Sequence, residues 1–148
     1  MKHIWSILCK KSIIDAETNN INIGEVLEEI TFHIPMEKDF KLPVNFNFDY
    51  EIISFWTSTV RNNEEKFYIE IEFVDPDKKI LNKFEQTITF PKNKKRLRTR
   101  IKSSAITVTK GGGYLFKIKA KEKENSSFKL LTEIPLFILI KRTLPTSK

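Results

Sequence analysis

Hydrophobic and polar residues alternate along most of this chain, most clearly towards its carboxyl end. Over 114–121 every second residue is apolar and the residues between them are mostly lysine; over 128–140 the apolar residues again largely alternate. A period of two residues is typical of a strand with one face in a core and the other in water. The polar segment 122–127 predicts a turn, so we expect the two runs to form an antiparallel hairpin.

The same period predicts further strands, separated by polar turns. In chain order, we expect strands over 3–14, 21–34, 44–60, 67–73, 84–90, 96–102 and 106–108. We expect turns or polar connections over 15–20, 35–43, 61–65 and 75–79, because Asp, Asn and Pro in these segments favour turn conformations. A break near Asp49 divides the long 44–60 run.

Two glycine positions affect how these strands connect. Gly24 lies where the apolar phase of the 21–34 run shifts, which predicts a bulge or a kink. A short helical turn over 25–29 is the alternative. The three glycines at 111–113 predict a tight hairpin turn, because glycine adopts positive φ at little cost. They do not match a phosphate-binding loop, which carries its Lys and Ser or Thr after the glycines.

Many short strands with turn signals between them, and no sustained helical period, predict an all-β fold. About eight or nine strands fit 148 residues. We therefore expect an antiparallel sandwich of two sheets, either immunoglobulin-like or C2-like. The chain has no internal repeat and no linker composition, so residues 1–148 are expected to form a single domain.

Short sequence patterns at the two ends of the chain point to the same fold class. They are WSILC at 5–9, IID at 13–15, TNN at 18–20, VLEEI at 26–30, GYLFKI at 113–118 and EIPL at 133–136. Together they resemble an uncharacterised bacterial family of small, stand-alone, immunoglobulin-like sandwich domains of unknown function. The resemblance implies this fold and implies no enzymatic activity. Asn22 and Gly24 depart from it, since the family pattern has a serine and an apolar residue there.

The net charge of +7 comes from one stretch, called the basic segment below. It contains no acidic residue and contributes seven positive charges: Lys92, Lys94, Lys95, Arg96, Arg98, Arg100 and Lys102. From Arg96 onwards the cations alternate with Leu97, Thr99 and Ile101, so on a strand they project from one face about 6.6 Å apart. The basic segment is therefore the candidate binding face.

Three interpretations of the basic segment follow from this pattern. The cations suit an acidic protein partner, or the phosphates of a nucleic acid bound without sequence preference, and arginine favours bidentate contact with either anion. Alternatively, they keep a sheet edge from pairing with other chains. No aromatic residue interrupts the segment, which disfavours stacking of single-stranded bases. We expect a non-enzymatic protein-interaction module, with a nucleic-acid-associated protein as the alternative.

A second candidate surface is apolar and lies in the last strand. Leu131, Phe137 and Leu139 occupy the phase that is expected to face outward. Such a patch is either an interface, for example in a homodimer, or is covered by the first strand of the chain. Coverage by the first strand is the expectation.

Few residues could support catalysis or hold zinc. His3 and His33 are the only histidines, and they meet only if the first two strands pair. His3 and Cys9 lie about 20 Å apart on one strand, which disfavours a zinc site. Cys9 shares the phase of Trp5 and Ile7, so we expect a small buried residue. No catalytic residue, cofactor or metal is expected.

The aspartates near Pro76 are candidate calcium ligands. Asp75 and Asp77 lie in a predicted turn. A C2-like sandwich can bind calcium through aspartates in its loops, and Asp39 and Asp49 would be the additional ligands if the topology brought them close. Calcium takes about six to eight oxygen ligands, more than these residues supply. We therefore expect Asp75 and Asp77 to stabilise the turn itself.

The remaining observations concern the compartment. A single cysteine excludes an internal disulfide and favours a reducing cytoplasm. No run approaches the roughly 18 apolar residues of a membrane span, so no membrane association is expected. The segment 1–9 imitates a lipoprotein signal, but its apolar run is too short, and bulky Leu8 precedes Cys9 where a small residue is required.

Overall fold

The computed structural model describes residues 1–37, 40–59 and 63–144. These residues form nine β-strands and no helix. The strands are β1 (Lys2–Ile14), β2 (Ile21–Val26), β3 (Glu29–Pro35), β4 (Val44–Thr57), β5 (Glu65–Val74), β6 (Ile80–Phe90), β7 (Arg96–Val108), β8 (Gly112–Lys121) and β9 (Lys129–Thr143). The expected all-β fold is confirmed. The expected strand end at Val60, the start of the 61–65 turn and Asp39 lie outside the described residues.

The strands form two sheets that pack as a sandwich. One sheet has the order β2-β1-β4-β7 and the other the order β3-β9-β8-β5-β6. The 114–121 and 128–140 runs pair antiparallel as expected. β3 and β9 pair in parallel, which the sequence did not predict. The two-sheet sandwich is thus confirmed, while its immunoglobulin-like or C2-like character stays a prediction.

Aromatic side chains from both sheets fill the core between them. The ring centroids of Trp56 on β4 and Phe67 on β5 lie 5.1 Å apart, and those of Tyr50 and Phe116 lie 5.6 Å apart. Burying a large apolar side chain stabilises the fold by roughly 1.5–3 kcal/mol relative to leaving it in water. These contacts across the sandwich therefore hold the two sheets face to face.

The expected 21–34 strand is two strands that belong to different sheets. β2 pairs with β1, β3 pairs with β9, and the chain crosses between the sheets at Leu27 and Glu28. There the Leu27 N–H donates to the Leu8 carbonyl at 2.9 Å, and the Phe137 N–H donates to the Glu28 carbonyl at 2.9 Å. The shift of the apolar phase along residues 21–34 results from this crossing. β2 and β3 face the core from opposite sides, so their apolar residues fall on different phases of the sequence.

Neither local explanation by itself accounts for the phase shift, since the chain changes sheets here. Gly24 lies inside β2 rather than at a kink between strands. The next residue, Glu25, has a φ of 53° and ends the regular strand geometry just before the crossing. Residues 25–29 form no helical turn, since β2 runs to Val26 and β3 starts at Glu29.

The expected break near Asp49 is a β-bulge within one continuous strand. β4 extends from Val44 to Thr57. In its pairing with β7, Asn47 lies opposite Ala105 and Tyr50 lies opposite Ser103. Two residues of β4 therefore face one residue of β7, which bends the strand and increases its twist without ending it.

The glycines at 111–113 do not form the expected hairpin turn. β7 and β8 lie in different sheets, so the segment between them is a crossover between the sheets. Gly112 begins β8 with a φ of 143°, a conformation that other residues rarely adopt. A Cβ on Gly112 would lie 3.0 Å from Cγ of Pro76, so the close approach of the Pro76 turn also favours glycine.

Tyr114 fastens this crossover to β8. Its buried hydroxyl donates to the Lys110 carbonyl at 2.6 Å. The same oxygen accepts the backbone N–H groups of Thr109 at 3.0 Å and Lys110 at 3.2 Å. A tyrosine near the start of a strand that binds backbone a few residues upstream is known from sandwich folds as a tyrosine corner.

Replacing Tyr114 by Phe is expected to lower the free energy of unfolding by about 1–3 kcal/mol, because three partly buried backbone hydrogen bonds of the crossover lose their partner while the ring remains. Urea denaturation measures this loss. Tyr68→Phe, on the half-buried outer face of β5, is the matched control and should change the value by less than about 0.5 kcal/mol. Equal losses in the two variants would show that the Tyr114 hydroxyl has no special role.

Candidate functional site

Residues 9–26, called the arm below, form a hairpin of the second half of β1 with β2. β1 pairs with β4 only from Lys2 to Cys9. From Cys9 to Ile14 it pairs with β2 instead. β1 therefore parts from β4 midway along its length, and the arm is held to the rest of the protein by other contacts.

Two arginines of β7 hold the arm against the outer face of the four-stranded sheet. Had β1 continued beside β4, Ser12 would lie about 16 Å along the strand from the position opposite Arg100. Instead, the Arg100 guanidinium donates to the Ser12 carbonyl at 3.2 Å. At the tip of the arm, the Arg98 guanidinium donates to the Asn19 carbonyl at 2.6 Å. The arm thus folds back over the sheet towards β7.

Residues beneath the arm are buried although they face away from the main core. Leu8 and Ile52 belong to the core cluster, so their neighbours Cys9 and Ile53 point to the opposite face of the sheet. Cys9 and Ile53 are nevertheless 0% exposed. Cys9 is buried as expected, but at the base of the arm and on the face away from the main core. Burial and, secondarily, the Glu51 carboxylate raise the pKa of its thiol, so Cys9 is not activated as a nucleophile.

A buried carboxylate, Glu51, lies at the base of the arm. The Ser12 hydroxyl donates to one of its oxygens at 2.5 Å. The Arg100 guanidinium lies 3.4 Å and the Lys102 ammonium 3.7 Å from the other oxygen. Burial acts to raise the pKa of Glu51, but the Ser12 hydrogen bond and the two cations outweigh it and lower this pKa. The carboxylate is therefore ionised and joins β1, β4 and β7.

The cations of the basic segment fall into two groups. Arg98 and Arg100 contact the arm, and Lys102 approaches Glu51, so these three contribute to the fold. The others lie at the start of β7 and in the connection before it, and they are exposed: Lys92, Lys94, Lys95 and Arg96. Five residues of the predicted face line one cleft at this end of β7, whereas Lys92 and Lys102 do not line it.

Between the tip of the arm and β7 lies a cleft of about 580 Å³, called the basic cleft below. Five cations line it, and none of its lining residues is acidic: Lys94, Lys95, Arg96, Arg98 and Arg100. Ile14, Phe55 and Leu97 supply apolar surface within it, and asparagines of the arm tip complete it. An anionic group with adjacent apolar atoms matches this lining.

β7 is an edge strand beside the basic cleft. It pairs with β4 on one side, and no described strand pairs with its other side. Its location thus fits the interpretation that the cations guard a sheet edge. The same free edge offers backbone N–H and C=O groups to an extended chain from a partner.

The second candidate surface is only partly as predicted. Phe137 is 47% exposed, and β1 does not cover it. Leu139 is half-buried beside Thr31 of β3. Leu131 does not share their side: it packs against the core, because a register shift between β8 and β9 falls next to it. The predicted patch of all three residues therefore does not exist as one surface.

The candidate metal ligands lie apart. His3 contacts the Ser6 hydroxyl at 2.8 Å and packs on Trp56, whereas His33 is exposed on β3 of the other sheet. One Asp75 oxygen accepts two N–H groups of its own turn, and the other accepts the Thr109 hydroxyl. Among the described residues no cluster of three or more Cys, His, Asp or Glu is arranged to hold a metal.

Glu51 and the arm were not predicted from the sequence. A single carboxylate inside the apolar run 50–56 was the available signal, since a buried charge requires partners.

The described residues also contain no helix long and apolar enough to cross a membrane.

No family model matches the chain, and no curated protein matches it. The resemblance to an uncharacterised immunoglobulin-like family stays a prediction.

Replacing Glu51 by Gln is expected to lower the free energy of unfolding by about 1–3 kcal/mol at neutral pH, because the Arg100 charge loses its carboxylate partner. A carboxyl whose pKa is lowered by folding stabilises the fold fully above its unfolded pKa, and this contribution disappears as pH falls through the folded pKa. The difference between native protein and variant should therefore shrink below about pH 4. Urea denaturation over a pH series measures it.

The control for this experiment is Glu124→Gln, in the exposed turn before β9. It should leave both stability and its pH dependence unchanged. A Glu51→Gln curve that stays parallel to the native curve at every pH would contradict the assigned role of the carboxylate.

Proposed function

We propose that this protein is a non-enzymatic interaction module of a bacterial cytoplasm that binds an acidic, extended segment of a partner protein along β7 and the basic cleft. The observation that carries the proposal is the position of the basic cleft beside a free strand edge. A groove of one charge raises the local concentration of an oppositely charged partner and accelerates its association.

The charges of the cleft support an anionic partner. Within the described residues, no carboxylate lies within 4 Å of Lys94, Lys95 or Arg96, so these cations have no internal ion pair to break. They are exposed and need little desolvation before an ion pair forms at the surface. A segment rich in glutamate or aspartate therefore gains these contacts without disturbing the fold.

The strand edge and the apolar lining support an extended polypeptide. A strand added to β7 gains backbone hydrogen bonds irrespective of its sequence. Its side chains then alternate between two faces, so acidic residues on one face reach the cations while apolar residues on the other face lie beside half-buried Leu97, which packs against the core. Such alternation of acidic and apolar residues defines the class of partner.

Two observations favour protein over nucleic acid. Arg98 and Arg100 are engaged by the arm, which interrupts the row of cations that a phosphate backbone would follow. Phe55, the aromatic residue of the cleft, is stacked on Trp5 at 5.6 Å, so that face is not free for a base. The nucleic-acid alternative is therefore an outcome of the test below rather than the proposal.

The test is fluorescence anisotropy with a labelled peptide that alternates glutamate and valine, beside labelled single-stranded and duplex DNA, over a salt series. We expect the native protein to bind the acidic peptide more weakly as salt rises. The triple variant Lys94→Glu, Lys95→Glu, Arg96→Glu should bind it at least about tenfold more weakly, because three attractions become repulsions.

A matched variant controls for net charge. This triple variant replaces three exposed lysines outside the cleft by glutamate: Lys79→Glu, Lys123→Glu and Lys141→Glu. Its net charge changes as much as that of the cleft variant, and it should bind the peptide as the native protein does. Equal binding by both triple variants would refute the site. Tighter binding of DNA than of peptide, with a log–log salt slope near −0.9 per phosphate on duplex, would establish the nucleic-acid alternative.

A further inference from the structure

The base of the arm borders a second cleft, called the apolar cleft below, between β1 and β9. It measures about 470 Å³, and its lining contains no Lys or Arg. Ile7, Leu8, Leu27 and Leu136 contribute to its walls, together with exposed residues at its mouth: Val26, which is 55% exposed, and Phe137. Apolar side chains concentrated at such a mouth mark an interaction surface.

Three glutamates surround the mouth of the apolar cleft, and we call them the acidic patch. Glu28 lines the cleft, Glu25 precedes Val26, and Glu29 lies beside Phe137 in the β3–β9 pairing. All three are exposed. An occupant of this surface therefore needs apolar side chains flanked by positive charges.

The β7 end of the four-stranded sheet of the same protein presents apolar side chains beside positive charges. The acidic patch lies where β2 and β1 form one end of the four-stranded sheet, whereas β7 forms the other end. The arm spans the face between them and carries Ile14, which is 38% exposed, to the basic cleft. An exposed isoleucine thus lines the same cleft as the exposed cations Lys94, Lys95 and Arg96.

We infer that copies of this chain associate head to tail: the arm tip and basic cleft of one copy bind the apolar cleft and acidic patch of the next. The inference rests on the proposed function in that it uses the same exposed cations of the basic cleft, here with the folded surface of a second copy as the acidic partner. Ile14 supplies the apolar contact, and the three cations Lys94, Lys95 and Arg96 meet the three glutamates of the acidic patch.

A symmetric dimer is disfavoured by the same charges. Joining two apolar clefts brings two acidic patches together, and joining two basic cleft regions brings two sets of cations together; each arrangement opposes like charges. Head-to-tail contact pairs opposite charges and leaves one binding surface free at each end. Assembly therefore continues beyond two copies unless the rotation between copies closes a ring.

The test is sedimentation velocity on the full chain over a protein concentration series at about 50 mM salt, where screening of surface charges is limited. We expect the native protein to sediment as a growing series of species. The basic variant (Lys94→Glu, Lys95→Glu, Arg96→Glu) and the acidic variant (Glu25→Lys, Glu28→Lys, Glu29→Lys) should each associate at least about tenfold more weakly.

A mixture of the two variants provides the decisive measurement. The basic variant keeps its acidic patch and the acidic variant keeps its basic cleft, so an equimolar mixture should associate although neither does alone. The control variant with Lys79, Lys123 and Lys141 changed to Glu should associate like the native protein. Circular dichroism of each variant verifies its fold.

A native protein that stays monomeric throughout, or variants whose mixture stays monomeric, would overturn the inference. A dimer that does not grow and is insensitive to the basic variant would also overturn it. Monomeric native protein that still binds the acidic peptide would remove the inference and leave the proposed function intact. Failure of the peptide and of self-association would remove both.

Discussion

The ionised carboxylate of Glu51 is the constraint on which this structure depends. A buried charge is costly unless hydrogen bonds and opposite charges surround it. Arg100 and Lys102 on β7 supply the opposite charges, and Ser12 supplies the hydrogen bond once the arm has folded back over the sheet. Without that contact, the outer face above Ile53 would be exposed and the basic cleft would have one wall.

The basic segment serves both the fold and the surface. Arg98 and Arg100 reach under the arm, because a guanidinium donates several hydrogen bonds in fixed directions. Exposed lysines just before β7 make no such contacts in the described part of the chain and remain available in solution. Arg98 and Arg100 thus keep the arm in place beside β7. The cations of this strand therefore lie in a cleft between the arm and the sheet instead of on an open strand face.

Much of the fold was predictable, while the candidate site was predictable only in part. Alternation located the strands, since burial of one strand face is a local property, and the cations were identified by composition alone. The prediction that Leu131 faces outward was wrong, because the register shift between β8 and β9 depends on how the two strands pair and not on the sequence of β9 alone. The crossing at Leu27 and Glu28 was mistaken for a bulge, because two sheets produce the same change of phase as one irregular strand.

By itself, the sequence determined the all-β class, most strand positions and the concentration of positive charge near β7. These properties follow from neighbouring residues along the chain. Tertiary structure decided sheet membership, the parallel pairing of β3 with β9 and the fold of the arm onto Arg98 and Arg100. Such features join residues far apart in sequence, and their energies depend on burial and on partners that exist only once the sheets have packed.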